Sequence, residues 1–140
     1  MHTNSRVKIF SGDSNRELFS EVCRFLMIPE GNVFHTNFAD GELYCRIEES
    51  VRGCDTFIIQ PTSTPVNENL MKLLITMDAL RRASAASVTA VVPYFGYSRQ
   101  EKKTTGREPV TAKLVANIIT IAGANRMMTV DMHDPALQGF

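Results

Sequence analysis

Short apolar runs alternate along the chain with longer stretches whose apolar residues recur at helical spacing. Residues 7–10 are such a run, halted by Ser11-Gly12-Asp13, which predicts a strand and then a turn. Leu18, Val22, Phe25 and Leu26 then mark a helix, with Asp13 or Ser14 as its expected cap and Pro29 and Gly31 as its stop. Runs at 33–37 and 43–47 flank Asp40-Gly41, a pair suited to the tip of a hairpin. Residues 56–59 read as a strand buried on both faces.

Thr64 is the expected cap of a second helix, with Pro65 at its first position and Leu70, Leu73, Leu74, Met77 and Leu80 along its inner face. A strand at 88–92 stops at Pro93, and residues 94–109 are polar enough to be a loop. Thr111 is the expected cap of a third helix that turns Leu114, Val115, Ile118 and Ile121 inward and closes at Gly123. Residues 127–130 are the last strand. Buried strands alternating with helices predict an α/β fold, a mostly parallel sheet with helices on both faces, plus the small hairpin. Ligands of such sheets bind beyond the carboxyl ends of the strands. The segments starting at Pro61, Pro93 and Asp131 should therefore share one edge.

Bulk properties narrow this picture only a little. A chain of 140 residues fits one domain. Fifteen basic and fifteen acidic residues cancel, which removes any global electrostatic reason to expect nucleic acid or an anionic membrane as partner. Cys23, Cys45 and Cys54 form neither a zinc spacing nor a paired framework, so reduced thiols in the cytoplasm are expected. Residues 1–6 lack an apolar signal core, and no apolar run approaches the roughly 20 residues of a membrane helix.

Candidate chemistry concentrates in four places. The loop at 94–109 carries Arg99, Lys102, Lys103 and Arg107, partly offset by Glu101 and Glu108. Guanidinium and ammonium groups on a loop after a strand suit a polyphosphate, with Tyr94, Phe95 and Tyr97 able to flank a base; a solvated charged loop explains the same composition. Asp131-Met-His-Asp134 puts a carboxylate and an imidazole two residues apart at a strand end, a pair that can face a metal-bound phosphate or simply a solvent-exposed turn. Phe38-Ala-Asp40-Gly41-Glu42 can grip a nucleotide or be an ordinary turn. Ser50-Val-Arg52 can bind a phosphate or be plain surface. The general phosphate motifs GxxxxGK[ST] and GxGxxG are missing. His2 and His35 suggest no role by their neighbours, and Met71, Met77, Met127, Met128 and Met132 read as core filler.

Taken together, VVPYFGYSRQEKK, GREPVTAKLVAN and VDMHDPALQGF, supported by FADGE, IEESVRGCD and QPTSTPVNENLMKLL, resemble the ribose-phosphate pyrophosphokinases in order and spacing from Val7 to Phe140. The resemblance implies a phosphoribosyltransferase-like fold, residues 1–140 being the N-terminal domain and a C-terminal domain being absent. It implies magnesium, ATP as diphosphate donor and ribose 5-phosphate as acceptor. Carried over by position, Phe38, Asp40, Gly41 and Glu42 belong to the ATP site, the hairpin reaching into a neighbouring subunit of a homo-oligomer, dimer or hexamer. Arg99 and Gln100 would hold ATP. His133 would act catalytically near the magnesium and phosphates, with Asp131 as its metal-site neighbour. Ser50, Arg52 and Ser84 would form a regulatory phosphate site. Asp134, in place of the family's usual Ala, and Thr104-Thr105-Gly106, in place of a more charged stretch, depart from the pattern. Those departures are the hints for the alternative reading, a non-catalytic subunit that binds active synthetase.

Overall fold

In the computed structural model, which describes residues 6–140, the apolar runs become six strands and three α-helices among the described residues. His2 lies outside the described residues. The order is β1 (Val7–Ser11), α1 (Arg16–Leu26), β2 (Val33–Asn37), β3 (Leu43–Ile47), β4 (Asp55–Ile59), α2 (Val66–Arg82), β5 (Ser87–Val91), α3 (Thr111–Ile121) and β6 (Arg126–Met128). β1, β4, β5 and β6 stand side by side in that order, all parallel, with Ile9 opposite Phe57, Phe57 opposite Thr89 and Thr89 opposite Arg126. β2 and β3 form a separate antiparallel pair. Parallel neighbours need a crossover, and α2 and α3 supply two of them.

Side chains alternate across a strand, so one sheet supports two apolar layers. Phe10, Ile58, Val88 and Ala90 meet Leu73, Met77 and Leu80 of α2 and Val115 and Ile119 of α3 in the main core. Ile9 and Ile59 meet Phe19 and Cys23 of α1 on the other face, with Phe57 and Val91 packed around them. Each fully buried large apolar side chain contributes roughly 1.5–3 kcal/mol against chain entropy. Beside α1, an apolar groove of about 760 Å³ runs across Ile9, Leu26, Phe57, Val91, Met128 and Val130. No helix among the described residues is long and apolar enough to cross a membrane.

The faces and caps of the helices correct several expectations. In α1 the buried stripe is Phe19 and Cys23, while Phe25 and Leu26 are exposed. The cap is Asn15, whose side chain accepts from the Leu18 N–H at 3.0 Å. Ser14 is otherwise engaged: its N–H donates to Gln60 Oε1, and its hydroxyl lies 2.8 Å from both that oxygen and the Pro61 carbonyl. α1 ends before Pro29, where Met27 takes a left-handed φ of 54° and Ile28 N–H donates back to the Cys23 carbonyl. α2 has no side-chain cap: Thr64 lies outside it, Pro65 is its cap residue, and Asn69 reaches back to donate to the Ser63 carbonyl. Thr111 lies inside α3, not at its cap, which is Val110. In α3, Ala112, Val115 and Ile119 are buried, and Leu114 and Ile121 face solvent. Of the methionines expected as core filler, Met77 is fully buried, while Met71, Met127 and Met128 are exposed. β6 stops at Met128, and a short 3-10 helix, Pro135–Gly139, follows where no element was expected.

Leu73→Ala should cost about 3 kcal/mol, because Leu73 is wholly enclosed by the main core. Leu114→Ala on the exposed face of α3 should change stability by less than about 0.5 kcal/mol. Urea unfolding of the two variants beside the parent chain checks the assignment, and equal losses would refute it.

Candidate active site

The carboxyl edge of the sheet is held together beyond the strands themselves. Thr62, just past β4, is buried; its N–H donates to the Tyr94 carbonyl at 3.0 Å and its hydroxyl donates to the same oxygen at 3.1 Å. Gly96 N–H donates to Thr62 Oγ1 at 2.7 Å. A side chain at Gly96 would place its Cβ 2.5 Å from the Thr62 carbonyl oxygen, so this close approach requires glycine. Past β5 and β6, Tyr94 forms a parallel bridge with Asp131, and Phe95 N–H points to the Asp131 carbonyl. The segments at Pro61, Pro93 and Asp131 thus meet at one edge, as the strand order requires.

The cationic loop leaves this root and is fastened to two helix starts. The Tyr97 hydroxyl bonds Asn67 in the first turn of α2, and the Gln100 carbonyl accepts from Ala112 N–H in the first turn of α3. Arg99 lies between these anchors and Gln100 at the second of them, both exposed, and the two line a groove of about 790 Å³ with Thr64, Asn67, Tyr94 and Tyr97. Helix amino ends favour anions, so the start of α2, which lines the groove, adds a fixed dipole to the Arg99 charge. Both acids of the loop are engaged locally. The Glu101 side chain is 10% exposed, with Lys102 Nζ 3.9 Å away. Glu108 accepts from the N–H groups of Thr104 and Thr105 and from the Thr104 hydroxyl, and these bonds push its carboxyl down to about 2. Arg99, Lys102, Lys103 and Arg107 remain exposed, so the surface the loop presents is cationic although its formal balance is mixed.

His133 and Asp131 are exposed, two residues apart, at the end of β6. Asp134 is occupied: its Oδ1 accepts from Ala136 N–H at 2.7 Å and caps the 3-10 helix. Among the described residues, no group of three His, Cys, Asp or Glu side chains is placed to hold a metal ion. Two donors at a strand end fit magnesium only if phosphate oxygens and water complete its shell, which is the usual way this ion is held beside nucleotides.

The hairpin follows the flank of β1: Gly31 N–H donates to the Ile9 carbonyl, and four residues further on His35 reaches Asp13. Its tip is locally specified, with Gly41 at φ 92°, Phe38 N–H donating to the Glu42 carbonyl, and Asp40 Oδ1 accepting from Glu42 N–H at 3.0 Å. Phe38, Asp40 and Glu42 are exposed and are not among the residues lining the Arg99 groove. Within one chain, the two parts of the expected ATP site therefore line different surfaces. Ser50, Arg52 and Ser84 sit before β4 and β5, at the amino edge. There Gly53 N–H donates to the Ser84 carbonyl at 2.9 Å and draws the two segments together.

One residue had no sequence signal at all. The His35 side chain is 6% exposed, with Nδ1 2.9 Å from Asp13 Oδ2 and Nε2 2.9 Å from Thr76 Oγ1. Burial lowers its pKa, and the bond and charge of Asp13 offset part of that effect. Cys45, its partner across the hairpin, is pushed up by burial. Nothing local links positions 13, 35 and 76, so only the tertiary structure shows the cluster.

The domain is a parallel α/β sheet whose carboxyl edge carries a cationic loop beside a carboxylate–imidazole pair. The chain belongs to the ribose-phosphate pyrophosphokinase family: the model for the N-terminal domain of ribose phosphate pyrophosphokinase matches residues 7–123. It is 56% identical over 137 residues to the ribose-phosphate pyrophosphokinase of Synechococcus elongatus, covering 98% of this chain and 41% of that protein. It is 57% identical over 138 residues to the chloroplastic ribose-phosphate pyrophosphokinase 2 of Spinacia oleracea, covering 99% of this chain and 35% of that one. The crystal structure of phosphoribosylpyrophosphate synthetase from Mycobacterium smegmatis superposes with a TM-score of 0.93 at 43% identity, over 95% of this chain and 45% of that chain. The chain thus spans about two fifths of the length of the curated relatives it matches.

The Glu108 clasp should respond to acid with a definite sign. Its carboxyl is depressed from 4.5 to about 2, so the clasp is fully formed above about pH 4.5 and is lost as pH falls through 2. Glu108→Gln should loosen Thr104 and Thr105 at neutral pH, seen as faster amide exchange at those two positions. Unchanged exchange would show that the loop is ordered by something else.

Proposed function

We propose that this domain carries the nucleotide side of a ribose-phosphate diphosphokinase, which transfers the diphosphate of Mg-ATP to ribose 5-phosphate and yields 5-phosphoribosyl 1-diphosphate and AMP. The observation that carries the reading is the pairing of Tyr94 with Asp131, which brings the root of the Arg99 loop against the His133 segment. Arg99 binds the polyphosphate as a fork of donors, and Gln100 and the start of α2 orient it. The Asp131 carboxylate would help hold the ion that accompanies ATP, with His133 beside it, and the His133 imidazole would donate a hydrogen bond to a phosphate oxygen. Magnesium, when bound, neutralises charge on the transferred group. Transfer of this kind depends on position and charge neutralisation more than on covalent help, which suits a site rich in cations and poor in nucleophiles.

The hairpin tip serves a neighbouring subunit in this reading, because Phe38, Asp40 and Glu42 lie off the groove of their own chain. Ser50, Arg52 and Ser84 supply a regulatory phosphate site on the opposite edge of the sheet. In this reading Asp134 is a local helix cap, a role that a catalytic domain can carry.

Arg99→Ala in a full-length synthetase carrying this domain should lower kcat/KM for ATP roughly 100-fold, the loss typical of removing one preorganised charge donor. AMP release in the presence of ribose 5-phosphate measures it, and an unchanged rate would sink the assignment. The 140-residue chain by itself should release no AMP, since it spans about two fifths of the length of the synthetases it matches.

A further inference from the structure

We propose that His35 is a positioning residue, a proton-sensitive clasp that holds the β2–β3 hairpin against the body and so fixes how its tip overhangs the carboxyl edge. The consequence for ATP rests on the reading above; the clasp itself does not.

The hairpin shares no sheet with the four parallel strands. Near its base it is secured by the Lys8–Glu49 ion pair, by Gly31 N–H on the Ile9 carbonyl and by Val33 and Ile47 packed on the main core. His35 binds further out, at Asp13, just past the end of β1. A strand advances about 3.3 Å per residue, so Phe38 stands about 10 Å beyond this fastening. Tilt at His35 is therefore magnified at the tip.

Proton accounting shows how the clasp works. Asp13 as carboxylate only accepts, so Nδ1 must carry a proton. Thr76 Oγ1 lies 2.9 Å from His35 Nε2 and 2.8 Å from the Lys72 carbonyl, and its single hydroxyl proton serves one of them at a time. With neutral imidazole, Thr76 donates to Nε2; with imidazolium, Nε2 donates and the hydroxyl turns to Lys72. The charged and titratable groups facing the ring are Asp13, itself bonded to Arg16, from the β1–α1 turn, Lys72 from α2 and Cys45 from β3. Burial and Lys72 oppose the cation and Asp13 favours it, with burial the largest effect. The docked ring thus takes up a proton less readily than a ring freed into water at 6.5. By linkage, docking is complete above that value and weakens as pH falls below it.

The test uses the 140-residue chain, with backbone order of residues 38–42 followed by NMR relaxation between about pH 8 and 5. The tip should stay ordered at the upper end and become mobile as the His35 imidazole, read from its own nitrogen shifts, gains a proton. His35→Gln, whose amide can donate to Asp13 and accept from Thr76, should keep the tip ordered throughout and abolish the pH dependence. His35→Ala should leave it mobile throughout, and Thr76→Val, which retains volume, should loosen it at neutral pH. A parent tip that stays as ordered at the lower end of the range as at the upper, or a tip in His35→Ala or Thr76→Val that is as ordered at the upper end as in the parent chain, would overturn the clasp. In a full-length synthetase carrying this domain, His35→Ala should raise KM for ATP roughly fivefold with kcat nearly unchanged, and His35→Gln should restore it. Should Asp40→Ala also leave KM unchanged, the nucleotide role of the tip fails while the relaxation data still decide the clasp.

Discussion

Thr62 extends the sheet past the point where β4 stops. Its N–H and hydroxyl both reach the Tyr94 carbonyl, and its oxygen takes the Gly96 N–H, so each of these atoms is paired and Thr62 itself is buried. An unpaired donor or acceptor there would cost about 1–3 kcal/mol, which gives the arrangement little freedom to slip. Tyr94 in turn fixes Asp131. The relative placement of the cationic loop and the His133 segment therefore follows from backbone bonding, before any side chain touches a ligand. This is preorganisation in the physical sense: the cost of bringing the groups together is met during folding.

Charge placement adds a second layer. The loop contains acids as well as bases, but Glu101 is turned inward and Glu108 is consumed by backbone N–H groups. The exposed face keeps the cations. A protein of zero net charge thus carries a local positive field at the edge where two helices begin, and the balancing acids lie elsewhere on the surface.

The fold was largely legible in the sequence. Apolar runs marked the strands, Asp40-Gly41 marked the hairpin, and the alternation of elements predicted parallel order. Spacing alone misjudged helix faces where an amphipathic pattern had competing apolar residues, as with Phe25 and Leu26 against Phe19 and Cys23. Capping was misread because Ser14 has a better partner in Gln60 than in its own helix. Arg99 and Gln100 stood out through their charged neighbourhood and family motif. His35 did not, because its partners lie 22 and 41 residues away in sequence and are brought to it by packing. The 3-10 helix was hidden too, since its stop and start signals fall within a few residues.

The Gly96 contact divides the loop into two mechanical regimes. Between Tyr94 and Ser98, Phe95, Gly96 and Ser98 are buried and Gly96 is wedged against Thr62, so an added residue would displace the sheet edge itself. Around Gly106 there is open space. Loop lengthening costs entropy only logarithmically, so variation in length between Lys102 and Gly106 is cheap. Divergence among such domains can accordingly retune reach and ligand choice in the outer segment while the anchoring residues stay fixed.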